Sequence, residues 1–105
     1  LDLPNLPKEF QLEVRYKLAF ILSKLDETSL ANKVILSIVD DFIDPDSRIR
    51  NFSSIESYWI ARSLFLLCDH LNADNQFEES KKIYRMIIAY NLPGFQLAKQ
   101  LLQEL

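Results

Sequence analysis

The chain has 105 residues, 49% of them hydrophobic and 26% charged, with a net charge of -3. That length makes one domain with a real core, and so apolar a composition excludes a disordered chain. A single glycine argues against the turn-rich all-β folds, and the single cysteine excludes an internal disulfide or a cysteine-rich zinc site.

The mildly acidic balance holds no basic stripe of the kind a nucleic-acid backbone requires. No apolar run approaches the ~20 residues of a membrane span, so neither nucleic acid nor a bilayer core is an expected partner. The chain begins at Leu1 without a methionine or a signal-like segment. It therefore reads as a domain cut from a longer protein, and its compartment, cytoplasmic or periplasmic, stays unassigned.

Residues 1–7, with Pro4 and Pro7, form an extended lead-in. The first helix is expected over 8–25, with Val14, Leu18, Ile21 and Leu25 as its main apolar stripe and Leu12, Tyr16, Ala19 and Phe20 widening it. The polar run from Asp26 to Ser29 breaks it. A second helix over 29–43 presents Ala31, Val34, Ile35, Ile38 and Phe42 on one side. Asp40 and Asp41 near its C-terminus oppose the helix dipole, which predicts fraying there or a basic neighbour. After the Pro45 loop, Ser53 and Glu56 have the spacing of a capping box and open a third helix over 54–71.

This third helix is apolar almost all round, with a polar strip of Glu56, Arg62, Ser63, Asp69 and His70, so it must have neighbours on two sides. Asn75 with Glu78 reads as the cap of a fourth helix, over 76–90. Pro93 and Gly94 set off a fifth, from Phe95 to Glu104. The fifth turns Phe95, Ala98, Leu101, Leu102 and Leu105 inward and Gln96, Lys99, Gln100 and Gln103 to water. The predicted fold is all-α: an antiparallel helix-hairpin array of about five helices. It divides into a lead-in (1–7), a first pair (8–43), a loop (44–52), a second pair (53–92) and a closing helix (95–105).

Shifting the chain by about 49 residues lays the first helix pair over the second. Leu18 falls on Leu67, Leu22 on Leu71, Ala31 on Ser80, Ile35 on Tyr84 and Ile38 on Ile87. Small and large residues recur in the same places, with Cys68 and Ser80 as the small residues that permit a tight crossing in the second pair. The run Leu64, Leu67, Cys68, Leu71, then Phe77, Ser80, Tyr84, Ile87 and a terminal Pro93, resembles the tetratricopeptide repeat. The usual tryptophan, glycine and tyrosine of that family's first helix are replaced here by Leu64, Cys68 and Leu71, and the shift exceeds the usual repeat of ~34 residues. An unrelated five-helix bundle with chance hairpins is the competing reading.

No chemistry-bearing motif emerges. Cys68 and His70 stand two apart on a helix and point to different faces, so they make no nucleophile–base pair. Cys68 reads as a packing residue and His70 as a surface one. Asp40, Asp41, Asp44 and Asp46 lack the glycine and closing glutamate of a calcium loop, and the only glycine, Gly94, makes no phosphate loop. No enzyme activity, metal or cofactor is expected.

The resemblance implies instead that the first helix of each pair lines a concave groove that takes a protein or peptide partner. Residue by residue, that places Tyr16, Lys17, Phe20 and Lys24 in the groove with Arg62, Phe65, Leu66, Asp69 and Asn72. Aromatic residues and arginine are what interface hot spots favour, yet Phe20, Phe65 and Leu66 serve equally well as core. Phe65 and Asp69 stand where the family's clamp for C-terminal carboxylates needs polar or basic groups, so chaperone-tail binding is not implied. The expected function is a non-catalytic protein-interaction or scaffold domain. Self-association, a segment of a longer solenoid, or an accessory domain of an enzyme are the alternatives.

Overall fold

A computed structural model of the chain describes residues 6–43 and 52–105. Among these residues five helices follow in order: α1 (Lys8–Lys24), α2 (Thr28–Phe42), α3 (Ser54–Ala73), α4 (Phe77–Ala89) and α5 (Phe95–Glu104). The architecture is all-α, as composition and periodicity predict. Helix α1 packs against α2 and α3, α3 also against α2 and α4, and α4 against α5. The central helix therefore has neighbours on two sides. The predicted loop over 44–52 lies outside the described residues except for Phe52.

The two hairpins turn by one device. Asp26 and Asn75, 49 residues apart, both adopt the left-handed conformation, with φ of 60° and 59°. After α1, the Glu27 amide donates to the Leu22 carbonyl at 2.9 Å and Asp26 to Ser23 at 3.2 Å; after α3, Gln76 donates to Leu71 at 2.8 Å and Asn75 to Asn72 at 3.1 Å. These are Schellman closures, which satisfy the orphan carbonyls of a helix end. Aspartate and asparagine are the non-glycine residues that tolerate that backbone. The residue after each turn, Glu27 or Gln76, is also the N-cap of the next helix, so the chain reverses within three residues. A third closure ends α4, where Asn91 has φ 53° and Leu92 donates to Ile87 at 3.0 Å.

Asn75 is thus not the N-cap that its spacing from Glu78 predicts. The N-cap of α4 is Gln76, with no side-chain cap bond, because Asn75 is used one place earlier to end α3. The capping box of α3 does form: Glu56 N–H donates to Ser53 Oγ at 3.0 Å, and Ser53 N–H to the Glu56 carboxylate at 2.7 Å.

The core joins Leu12 and Ala19 of α1, Ala31, Ile35 and Ile38 of α2, Ile60, Leu64, Leu67 and Cys68 of α3, and Tyr84 and Ile87 of α4. Cys68 and Ser80 are fully buried where α3 crosses α4, with Cys68 Sγ 3.8 Å from the Ser80 carbonyl oxygen. Burial pushes the Cys68 thiol up to about 12, so it remains protonated and inert. Ala19 and Ala31, the residues 49 places earlier in the first hairpin, are also fully buried.

Two expectations are corrected here. The predicted main stripe of α1 is largely its outer side: Val14, Ile21 and Leu25 are exposed, and the buried residues are Leu12, Arg15, Tyr16 and Ala19. The helix carries apolar residues on opposite faces, so periodicity alone picks the wrong one. Ser63 is not part of a polar strip; it is fully buried, and its hydroxyl donates to the Trp59 carbonyl one turn back.

The buried Arg15 is the basic neighbour of the α2 C-terminus. Its Nη1 lies 2.7 Å from Asp41, 3.1 Å from the Ser37 carbonyl and 3.2 Å from Ser37 Oγ, and its guanidinium covers the Phe42 ring at 5.1 Å. A cation there also complements the negative end of the α2 dipole.

Candidate functional site

The groove implied by the resemblance can be compared with what α1 and α3 bring together. Tyr16 and Phe20 on α1 stand a turn apart, with ring centroids separated by 6.2 Å. Tyr16 also lies 5.6 Å from Trp59, which meets Tyr58 edge-on at 4.9 Å. Arg62 completes the cluster: Nη1 donates to the Tyr58 hydroxyl at 2.9 Å and Nη2 to the Tyr16 hydroxyl at 3.1 Å. Its guanidinium carbon sits 5.1 Å from the Tyr16 ring centre and 5.4 Å from that of Tyr58. An arginine held by two phenols has its geometry set before any partner arrives.

Lys17 lies over Trp59 at 5.9 Å and Lys24 over Phe20 at 5.1 Å. The cleft between the helices, lined by Tyr16, Lys17, Phe20, Ile21, Tyr58, Trp59 and Arg62, has a volume of about 380 Å³. That is near the low end for binding pockets, room for a few side chains of a partner.

Of the nine residues placed in the groove from sequence, Tyr16, Lys17, Phe20 and Arg62 line this cleft, and Lys24 flanks it through Phe20. The other four do not line it. Phe65 packs 6.3 Å from Tyr84 and beneath the α4–α5 turn, where a Cβ on Gly94 would stand 2.9 Å from its ring. Asn72 donates to the Tyr84 hydroxyl at 3.2 Å. Leu66 packs against the core, and Asp69 is exposed. Phe65 and Asn72 turn away because α3 is wrapped by α4 on that side. Tyr58, Trp59 and Ile21 are the lining residues that sequence reasoning missed. The i, i+4 pair Tyr58–Arg62 was the available signal.

A second cluster joins three helices. His70 of α3 has Nε2 2.9 Å from Ser23 Oγ of α1 and Nδ1 2.7 Å from Asn32 Oδ1 of α2. His70 is therefore an interhelical tie, not the free surface histidine expected. The order serine–histidine–asparagine has the distances of a nucleophile, a base and its orienting group. Two features set it apart from such a site. The Ser23 hydroxyl also lies 2.8 Å from the Ala19 carbonyl one turn back, a bond that holds the hydroxyl against its own helix. The adjacent cleft is lined by Thr28, Ser29, Asn32 and His70 but not by Ser23, so a molecule there meets the base and not the hydroxyl.

Partial burial lowers the His70 pKa below its ordinary value, with the charge of Asp69 opposing. A depressed histidine binds fewer protons folded than unfolded, so its contribution to stability is present above the ordinary histidine range and lost as pH falls through the folded pKa. Melting temperature is expected to fall as pH drops from neutral through that range, and His70→Gln to flatten this part of the profile. Asp69 acts in the opposite sense at more acid pH, since desolvation raises its carboxyl. A profile unchanged by His70→Gln would remove the histidine from the linkage.

Among the described residues, no helix is long and apolar enough to cross a membrane. Comparison with known proteins finds no family model, no curated protein and no solved structure that matches the chain.

Proposed function

We propose that the chain is a non-catalytic, tetratricopeptide-like adaptor domain that binds a segment of another protein in the α1–α3 cleft. The observation that carries this reading is Arg62, fixed between Tyr16 and Tyr58 beside Trp59 on an open face. Tyrosine, tryptophan and arginine are the residue types that dominate interface energetics. The repeat reading is supported by two hairpins that reverse through the same turn 49 residues apart.

Trp59 is the only tryptophan, so its fluorescence reports on the cleft. Peptides selected from a displayed random library are expected to change that emission on titration. Arg62→Glu should leave the helical signal in place and lower the melting temperature only modestly, because Arg62 is exposed but loses its bonds to Tyr16 and Tyr58, while weakening the selected peptides roughly tenfold or more. Peptides whose affinity survives Arg62→Glu would move the binding site elsewhere.

A further inference from the structure

Helix α1 carries a second apolar face that none of the described residues covers, with Lys17 and Ile21 shared with the edge of the α1–α3 cleft. Phe10, Val14, Ile21 and Leu25 are 55%, 38%, 55% and 66% exposed. Their spacings of four, seven and four residues align them in one stripe, opposite the face that buries Leu12 and Ala19, and Lys17 fills the middle of it.

The internal repeat shows what such a face is for. Counting on 49 residues, Phe10, Val14, Lys17 and Ile21 fall on Trp59, Ser63, Leu66 and His70 of α3. Two of them face the preceding hairpin directly, Trp59 against Tyr16 and His70 bonded to Ser23 and Asn32, and Ser63 between them is fully buried. The same side of α1 is open and still apolar. A helical repeat that ends in solvent has a polar outer face. Helix α5 at the opposite end is largely built that way, with Gln96, Lys99, Gln100 and Gln103 exposed; its apolar exceptions are Leu97 in the first turn and Leu105 just past the last, which is exposed and not turned inward as the sequence predicts.

We propose that this face pairs with the same face of a second copy, α1 against α1 in antiparallel. The stripe is symmetric about its midpoint. Reversed on itself, it sets Phe10 opposite Leu25 of the second copy and Val14 opposite its Ile21, twice over. An interface that matches itself closes as a twofold dimer, and the polar α5 end offers no head-to-tail match that would build a filament. Lys17, near the midpoint, is already answered by Glu13 of its own helix at 2.6 Å, so the two copies meet there as internally neutral pairs.

Light scattering after size exclusion over a hundredfold concentration range tests this directly. The mass is expected to rise from that of one 12.3 kDa chain toward that of two and to stop there. Ile21→Glu should hold the protein at one chain with its helical signal intact, and Arg62→Glu, which acts on the cleft, should leave the mass curve unchanged. For register, a Cys68→Ala background carrying both Val14→Cys and Ile21→Cys should form an oxidised dimer. Either cysteine alone, about two turns from its copy in this register, should not. A single chain at every concentration, a dimer that survives Ile21→Glu, assembly beyond two, or cross-linking by the single variants as readily as the double would each overturn the pairing.

Discussion

Arg15→Ala is expected to destabilise the fold by about 3 kcal/mol, from the loss of a large buried side chain and of charge-assisted hydrogen bonds. Arg15 is 6% exposed, and its guanidinium joins the Ser37 backbone, the Ser37 hydroxyl and Asp41 across the α1–α2 interface. Asp41 is half exposed, so the ion pair itself is partly screened and packing of the stem should carry much of the effect. Arg15→Met separates the two contributions, because it keeps the stem against Phe42 and removes only the polar head. Urea unfolding should place the methionine variant between wild type and the alanine variant. Equal losses in both would assign the stabilisation to the hydrogen bonds. No loss in Arg15→Ala would mean that α1 and α2 are held by Ala19, Ala31 and their apolar neighbours alone.

That arginine also shows where sequence reasoning stops. The five helices, the capping box of α3 and the 49-residue shift were all legible, because each depends on spacing within the chain. A buried charge is not legible, since nothing around Arg15 reveals that Ser37 and Asp41 of another helix will face it. The dipole conflict at Asp40 and Asp41 was the nearest signal, and it pointed to a basic neighbour without naming it. For α1, two apolar stripes compete, and only the contacts with α2 and α3 decide that Leu12 and Ala19 go inward while Val14 and Ile21 stay out. Asn75 was misread as a cap because its role as a left-handed turn residue is a backbone property. Its counterpart Asp26, 49 residues earlier, was the clue. For the cleft, Tyr16, Lys17, Phe20 and Arg62 followed from the resemblance. Phe65 and Asn72 did not stay with them, because α4 and the Gly94 turn claim that side of α3.

Ser80→Leu is expected to cost roughly 1–3 kcal/mol by overpacking, and Ser80→Ala to stay within about 1 kcal/mol of wild type. The pair tests whether the helix crossing depends on a small residue or on the hydroxyl. Ser80 is fully buried, and its carbonyl lies 3.8 Å from Cys68 Sγ, so the backbones of α3 and α4 approach with no room for a branched side chain. The first hairpin already contains the control, because Ala31 occupies the equivalent place and is equally buried. For a domain of this size each kcal/mol moves the melting temperature by roughly 4–8 °C, so the leucine variant should be visible in a simple thermal scan. Both outcomes bear on the repeat. A leucine tolerated at residue 80 would mean that α3 and α4 are not packed through Cys68 and Ser80. A large loss in Ser80→Ala would mean that the second crossing uses the serine for something the first crossing does without, and the two hairpins would then share their turn but not their packing.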